Sequence, residues 1–543
     1  MNSYSQIPYS KLPGFSRTWQ AIAAGDAVND LYARPPLSLT ACRHAAEATL
    51  RQSRPWQELA ELLAQSGQGY GIPKSALSRL TAVAEGKAVM VVTGQQVGYL
   101  GGPLFTFLKA YHTTRLAAEL EPQIGIPVLP VFWLEGEDHD LEEVRNTHYF
   151  DRSGELKSLR FMPDGETSGR EVGGYRVRGG DHLQELAAAL DEPQEAGLAI
   201  LRAAYEDSTL SDAMGKLLAR TLGERGLLIV EGMEPALKRM AVPLWEQIVQ
   251  HGRELSDRLA ERGATLRDNG WSAILNPTPD SYLFYVTDEQ HVRLPLSYAG
   301  ELRYPNGKSE RLSTDQLRDL IRNTPERISP KAALRPLYQD FVLPSVAYVA
   351  GPGEMDYHAQ IAPFYTELGV IPPVIFPRLS ATILDRRERR IIEKCGLPIE
   401  RLLGEDRHAL LRDLIHEQDE GRTAESFAEA KRDLESIYER LRPIIAEIDP
   451  TLAGAAQSST GKSLYPLEQL REKAERALKQ KHATRIARLD KAVSLVKPQD
   501  QMSERVLSTG YYLAKYGTDK LLDGLDAVPL DAAAHAVIEL ETN

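Results

Sequence analysis

The chain has 543 residues, 42% hydrophobic and 26% charged, which is enough for several domains and a large core. Its formal net charge of -12 excludes a reader of nucleic-acid backbones, which needs a Lys/Arg surplus to displace counterions, so no nucleic-acid partner is expected. Two cysteines, Cys42 and Cys395, lie far apart and outside any CxxC spacing, excluding a disulfide framework and a cysteine zinc site.

The opening MNSYSQIPYSKLPGF has neither the basic start nor the apolar core of a signal peptide, and no run approaches the roughly 20 apolar residues of a membrane span. A cytoplasmic protein without a membrane partner is expected. Residues 1–85 read as a helical lead-in, with Trp56, Leu59, Leu62 and Leu63 on one helix face. Residues 86–144 carry the unit around which the chain is organised: an apolar strand at 88–92, a glycine-bearing loop at 93–102, a helix at 103–120 and a second apolar strand at 128–134. Apolar runs joined by a helix suit a parallel sheet buried on both faces. Gly94, Gly98, Gly101 and Gly102 let the loop turn tightly, and the helix start beyond them is expected to offer N–H groups to an anion. Gln95 and Gln96 bring two amides to the sheet mouth, and Thr93 opens the same loop. The loop is neither GxGxxG nor a Walker motif. On the helix, Lys109 and His112 add a cation and a proton carrier.

The second strand runs into GEDHD, residues 136–140, at the strand end where open parallel sheets bind ligands. One of Asp138 and Asp140 is expected to cap a helix beginning near Leu141, with Glu143 completing a capping box, which leaves Glu137 and His139 as the functional pair. Residues 145–206 read as a β-rich insertion followed by a helix at 183–190. Residues 207–264 read as core, with a strand at 227–230. A second insertion spans 265–329, where WSAIL, SYLFYV and HVRLPL are strand-like. The core closes over 330–385, with strands at 345–350 and 373–376, a turn at 351–353 and a helix at 354–368. Arg335, Gln339 and Asp340 precede one of these strands, Gly351, Gly353 and Glu354 follow it, and Arg378 ends the next, which suggests a shared anion pocket. Over 386–500 the composition shifts to charged helices. Phe427, Ala430, Leu434, Ile437, Leu441, Ile444 and Ile448 alternate steps of three and four, a coiled-coil seam, and the stretch TLAGAAQSSTGKS is expected to loop between two antiparallel helices. Residues 501–543 read as C-terminal helices returning to the body.

TGQQVGYLGGPLFTFLKA at 93–110, PVFWLEGEDHDLEEV at 130–144, LRPLYQDFVLPSVAYVAGPGE at 334–354, PVIFPRLS at 373–380 and the closing ERVLSTGYYLAKYG resemble the cysteine-adding enzymes of bacillithiol biosynthesis along nearly the whole chain. The resemblance implies an α/β fold: a Rossmann-like parallel-sheet core like that of nucleotidyltransferases and class I synthetases, β-rich connecting insertions and a C-terminal α-helical coiled-coil domain used for homodimerisation. It also implies a ligase that joins cysteine to the amino group of glucosaminyl-malate. A free carboxylate is a poor electrophile, so ATP is the expected activating cofactor, with no metal beyond Mg²⁺ accompanying the nucleotide. In that reading Lys109, Arg335 and Arg378 meet phosphate or carboxylate, residues 94–102 give backbone contacts, Gln95 and Gln96 position substrate, and His139 or Glu137 is the base. Two other readings stand beside it: a metal-assisted hydrolase using Glu137, Asp138, His139 and Asp140, and a nonenzymatic dimeric scaffold built on the coiled coil.

Overall fold

The computed structural model describes residues 3–26, 28–419, 422–530 and 533–541. The apolar runs pair as a five-stranded parallel sheet in the spatial order Val374–Pro377, Ser345–Ala350, Val89–Gln96, Val128–Glu135, Leu228–Glu231. Numbered along the chain this is the doubly wound order 5-4-1-2-3. The topological switch therefore lies between Val89–Gln96 and Ser345–Ala350, and a crevice opens beyond their carboxyl ends. Burial on both faces explains the β-branched content: Val89, Val91, Val128, Val346, Val349 and Val374 pack against Ala41, Cys42, Ala45 and Ala46 of helix Leu39–Arg51, so Cys42 is a core residue.

The first strand is longer than the sequence suggests. Thr93, Gly94, Gln95 and Gln96 continue it, opposite Phe132 to Glu135 of the second strand, and the true turn occupies 97–102. Helix Leu104–Ile124 follows it, and helix Pro352–Glu367 follows the fourth strand.

The second insertion forms a five-stranded antiparallel sheet from Ser281–Thr287, Arg293–Ser297, Glu301–Arg303, Ser309–Arg311 and Ile328–Pro330. WSAIL belongs to no strand. Its Leu275 N–H and C=O are taken instead by the buried side chain of Gln360, at 3.0 and 2.7 Å, so an amide replaces a neighbouring strand. The first insertion contributes the hairpin Asn146–Phe150 with Leu156–Arg160 and two helices, Gly180–Ala189 and Glu195–Tyr205.

The lead-in is not wholly helical, nor is the C-terminal segment. Ser3–Pro8 pairs antiparallel with Ala534–Leu540, which pairs in parallel with Ala381–Asp385. Beside this small sheet Arg378 donates to Glu504 at 2.6 Å. Glu504 also accepts from the Ser380 hydroxyl at 2.9 Å and the Ala381 N–H at 2.7 Å, all of it buried.

The chain divides into two units, Met1–Asp385 with Gln501–Asn543, and Arg386–Asp500. In the second unit helices Arg422–Ile448 and Ala453–Lys481 are joined by the short turn Pro450–Leu452. The Gly/Ser-rich stretch expected to be a loop forms the first turns of the second of these helices, since a glycine inside a helix costs only about 1 kcal/mol relative to alanine and does not by itself break one. Ile437, Leu441, Ile444 and Ile448 of the seam stay exposed, Ile448 to 75%. Among the described residues no helix is long and apolar enough to cross a membrane.

Removing Glu504 leaves the Arg378 guanidinium buried without a counter-charge. Glu504→Ala is expected to lower the unfolding free energy by about 3–5 kcal/mol in a urea titration; an unchanged midpoint would contradict a locking role.

Candidate active site

A cavity of about 220 Å³ opens at the switch point, on the small side of the roughly 300–1,000 Å³ usual for small-molecule sites. Gly94, Gln95 and Gln96 wall one side from the end of the first strand, and Trp133 and Glu135 reach in from the end of the second. Arg335 and Gln339, one turn apart on helix Arg335–Val342, face Tyr348, Glu354 and Tyr357 across it. Of the residues the sequence singled out, Gly94, Gln95, Gln96, Arg335, Gln339 and Glu354 therefore meet in one place.

Lys109 lies under the floor of this cavity, almost wholly buried. Its ammonium pairs with Glu354 at 2.5 Å, bonds the Gly94 carbonyl and reaches the Gln95 side-chain oxygen at 3.3 Å. All three neighbours are acceptors, so the group must be an ammonium, although burial pulls it below the ordinary lysine value and Glu354 only partly restores it. Glu354 also accepts from Tyr348 at 2.6 Å, Tyr357 at 3.2 Å and the Gly351 N–H at 2.6 Å. Burial opposes its charge, but Lys109 and these donors outweigh it and hold the carboxyl below the usual range. Lys109 is thus a tie between the two halves of the sheet and not a cation presented to a ligand. Glu354 closes the capping of its own helix.

The GEDHD side chains diverge. Glu137 is buried against Lys238 and accepts from Ser329 at 3.1 Å. Asp138 turns to the cavity wall, accepting from Gln96 at 2.5 Å and Arg335 at 3.1 Å. Burial raises its pKa, but Arg335, Arg293 and Gln96 more than compensate and keep it well below the carboxylate range. Asp140 is the helix cap, accepting from the Glu143 N–H at 3.2 Å, but the capping box expected with Glu143 is not completed, because the Asp140 N–H is taken by Asp138 Oδ1 at 3.2 Å. His139 leans on Arg293, with its Nδ1 3.2 Å from a guanidinium nitrogen. Glu137 is taken by Lys238, Asp140 by the helix it caps, and Asp138 and His139 both face the cation Arg293, so the four do not converge on a metal, and among the described residues no cluster of three or more His, Cys, Asp or Glu does. The hydrolase reading finds no support in this geometry.

The turn at 97–102 is no anion cradle. Gly98 N–H points to the Met214 sulfur at 3.3 Å, Gly101 N–H bonds the Tyr205 hydroxyl at 3.0 Å and Gly102 N–H bonds the Tyr99 carbonyl at 3.1 Å. At the helix start Leu104 N–H donates to Leu507 at 2.9 Å. The glycines are needed for close approach: a Cβ on Gly98 would stand 2.6 Å from Gly102 Cα, and Gly102 holds φ at +65°. Thr93 donates to the Val349 carbonyl at 2.7 Å and so ties the two switch-point strands together. Arg378 lies outside the cavity, paired with Glu504, so the anion pocket shared by Arg335 and Arg378 is not formed. Gly351 and Gly353 shape the turn into the second helix without lining the cavity. His112 is buried, accepts the Leu379 N–H at 2.8 Å and is pushed down to about 3 by burial and Arg115, which removes it as a proton carrier near neutrality.

Glu135 is the residue the sequence reading missed. It ends the second strand one position beyond the expected boundary, lies buried at the cavity wall, and has Oε1 3.5 Å from Arg335 Nε. Burial raises its pKa, Arg335 opposes that, and Glu137 adds to it. The period of the strand, extended by one residue, would have found it. Trp133, two residues earlier on the same face of the strand, donates to it at 3.4 Å.

Two family models match the chain. The model described as the N-terminal Rossmann-like domain of bacillithiol biosynthesis BshC covers residues 3–379, and that of the C-terminal coiled-coil domain covers 381–540. A relative from Salinibacter ruber is 32% identical over 520 residues, 94% of each chain. One from Koribacter versatilis is 31% identical over 474 residues, 87% of each, and one from Solibacter usitatus is 30% identical over 537 residues, 98% of this chain and 99% of that one. All three carry the name "Putative cysteine ligase BshC".

Asp340, buried behind the cavity and held by Tyr365 at 2.7 Å, has a pKa raised to about 6 by burial. The unfolded carboxyl ionises near pH 4, so the folded protein holds one more proton between about pH 4 and 6, and this group's contribution to stability falls as pH rises through that window. Asp340→Asn removes the effect: its melting temperature relative to the parent is expected to climb from pH 4 to 6 and level off above. A pH-independent difference would show that Asp340 ionises normally.

Proposed function

The chain belongs to the bacillithiol-biosynthesis BshC family, and from that membership we propose that it is a ligase joining the carboxyl of L-cysteine to the amino group of glucosaminyl-malate, yielding bacillithiol. The observation that carries this reading is the small polar cavity at the switch point, lined by the amides of Gln95, Gln96 and Gln339, one guanidinium, Arg335, and two carboxylates, of which Glu354 is tied to Lys109 and Glu135 is not. Amides orient a multifunctional polar substrate, since each both donates and accepts. To Arg335, fixed by Asp138 and near Glu135, we assign stabilisation of the negative charge that grows on the carbonyl oxygen as the amine adds. The attacking ammonium must first lose a proton. We assign Glu135 to receive it, because burial keeps this carboxylate more basic than usual, whereas Glu137 is held by Lys238.

Carboxyl activation needs a leaving group, and ATP is its expected source. The turn at 97–102, expected to cradle phosphate, has the N–H groups of Gly98, Gly101 and Gly102 already bonded within the protein and does not fit that role. The exposed seam Ile437, Leu441, Ile444 and Ile448 supports a homodimer through the coiled coil, since a row of aliphatic side chains at heptad spacing is stable when a second helix covers it.

Purified protein supplied with cysteine, glucosaminyl-malate and ATP is expected to form bacillithiol by thiol-labelled chromatography, with Arg335→Met lowering kcat/KM on the order of 10²-fold. Normal bacillithiol in cells lacking this chain would sink the assignment. For the assembly, changing both Ile444 and Ile448 to Glu is expected to halve the mass measured by light scattering; a parent chain that is already monomeric would refute the dimer.

A further inference from the structure

We propose that His139, Lys331 and Arg293, gathered around the ring of Tyr285 at the rim of the switch-point cavity, form an oxyanion subsite in which a neutral imidazole and a lysine ammonium are the donors to a carboxylate or phosphate oxygen. Arg293 Cζ lies 4.3 Å from the Tyr285 ring centroid, Lys331 Nζ 4.9 Å, and the His139 ring centroid 6.0 Å. Asp138 joins this group to the cavity, contacting Gln96 and Arg335 on one side and lying 3.7 Å from Arg293 on the other.

The tautomer of His139 follows from its neighbours. A guanidinium has donors only, so the 3.2 Å contact from Arg293 requires His139 Nδ1 to accept, and the ring proton sits on Nε2. The other neighbour of Nδ1, Asp138 Oδ1, is 3.6 Å away and already accepts the N–H groups of His139 and Asp140, so it does not compete. Arg293 cannot swing away: it is buried, and its other terminal nitrogen donates to the Pro330 carbonyl at 3.2 Å. A second positive charge on the imidazole would face Arg293, with Arg335 behind it. Burial and Arg293 lower the His139 pKa, and Asp138 and Asp140 offset this only in part. His139, with 43% of its side chain exposed, thus presents an N–H and no basic nitrogen.

Lys331 supplies the second donor. Lys109 and Lys238, the other buried lysines of this region, each pair with a carboxylate; Lys331 instead bonds the Ser281 hydroxyl at 2.9 Å. Burial and Arg293 push it down to about 8. A half-buried ammonium without a counter-charge is unfavourable by itself, and a bound anion removes that penalty. The subsite rests on the ligase reading only for the source of the anion, which is either the malyl carboxylates of the acceptor or the phosphate of an activating nucleotide.

The test titrates the full chain with L-malate and, separately, with pyrophosphate by calorimetry, using the parent, Lys331→Met and Lys331→Arg. One anion is expected to bind the parent about tenfold more tightly than Lys331→Met, with Lys331→Arg retaining most of the affinity. Preference for malate assigns the acceptor end, and preference for pyrophosphate assigns the nucleotide end. Nitrogen-15 spectra of histidine-labelled protein, with the signal assigned through His139→Gln, are expected to show a neutral Nε2–H imidazole from about pH 6 to 8. Failure of both anions to bind, equal binding by Lys331→Met, or a His139 that titrates in that range would overturn the subsite. Anion binding without bacillithiol formation would remove the ligase reading and leave the subsite standing.

Discussion

Everything at the switch point depends on the buried pair of Lys109 and Glu354. The two residues come from helices that follow different, adjacent strands, and their contact is what brings Gly94, Gln95, Tyr348 and Tyr357 to a common centre. A buried ion pair adds little net stability compared with well-packed apolar groups, but it is specific: removing one partner leaves a desolvated charge. This side of the cavity is consequently set by an electrostatic contact that tolerates little displacement, and a polar substrate meets side chains that are already oriented.

Around that centre the charged side chains are sorted by burial. Some of those sealed from solvent are paired closely, as with Glu137 and Lys238 or Arg378 and Glu504, and they hold segments distant in sequence together. Those at the rim are matched unevenly. Asp138 serves Gln96, Arg335 and Arg293 at once, while Glu135 has only a loose contact with Arg335. Uneven pairing in a recess is the condition under which an arriving ligand changes the electrostatic balance most.

The sequence reveals this arrangement unequally. Continuous apolar runs identify the parallel strands because burial on both faces leaves no alternative composition, and the Asp140 cap is legible from its spacing to Glu143. What is local in sequence can be read from sequence. The glycines between 97 and 102 were visible, but the occupants of their N–H groups, Met214, Tyr205 and Leu507, come from remote segments and turn an apparent anion site into a packed corner. Arg378 misleads for the same reason, since its partner Glu504 lies beyond the whole helical unit. Glu135 lies one residue past the apolar run that marks the strand, and a charged residue there reads from sequence as the start of a loop, although the strand's alternation carries it onto the face of Trp133.

The pairing of Ser3–Pro8 with Ala534–Leu540 has a kinetic meaning. Bringing together segments so far apart in sequence carries a loop-closure entropy, and that cost falls once the intervening structure has drawn them near. Late formation of this sheet, after the parallel core, is the expected order. Because Ser3–Pro8 precedes its partner along the chain, it must wait during synthesis, an unpaired edge, until Ala534–Leu540 has followed.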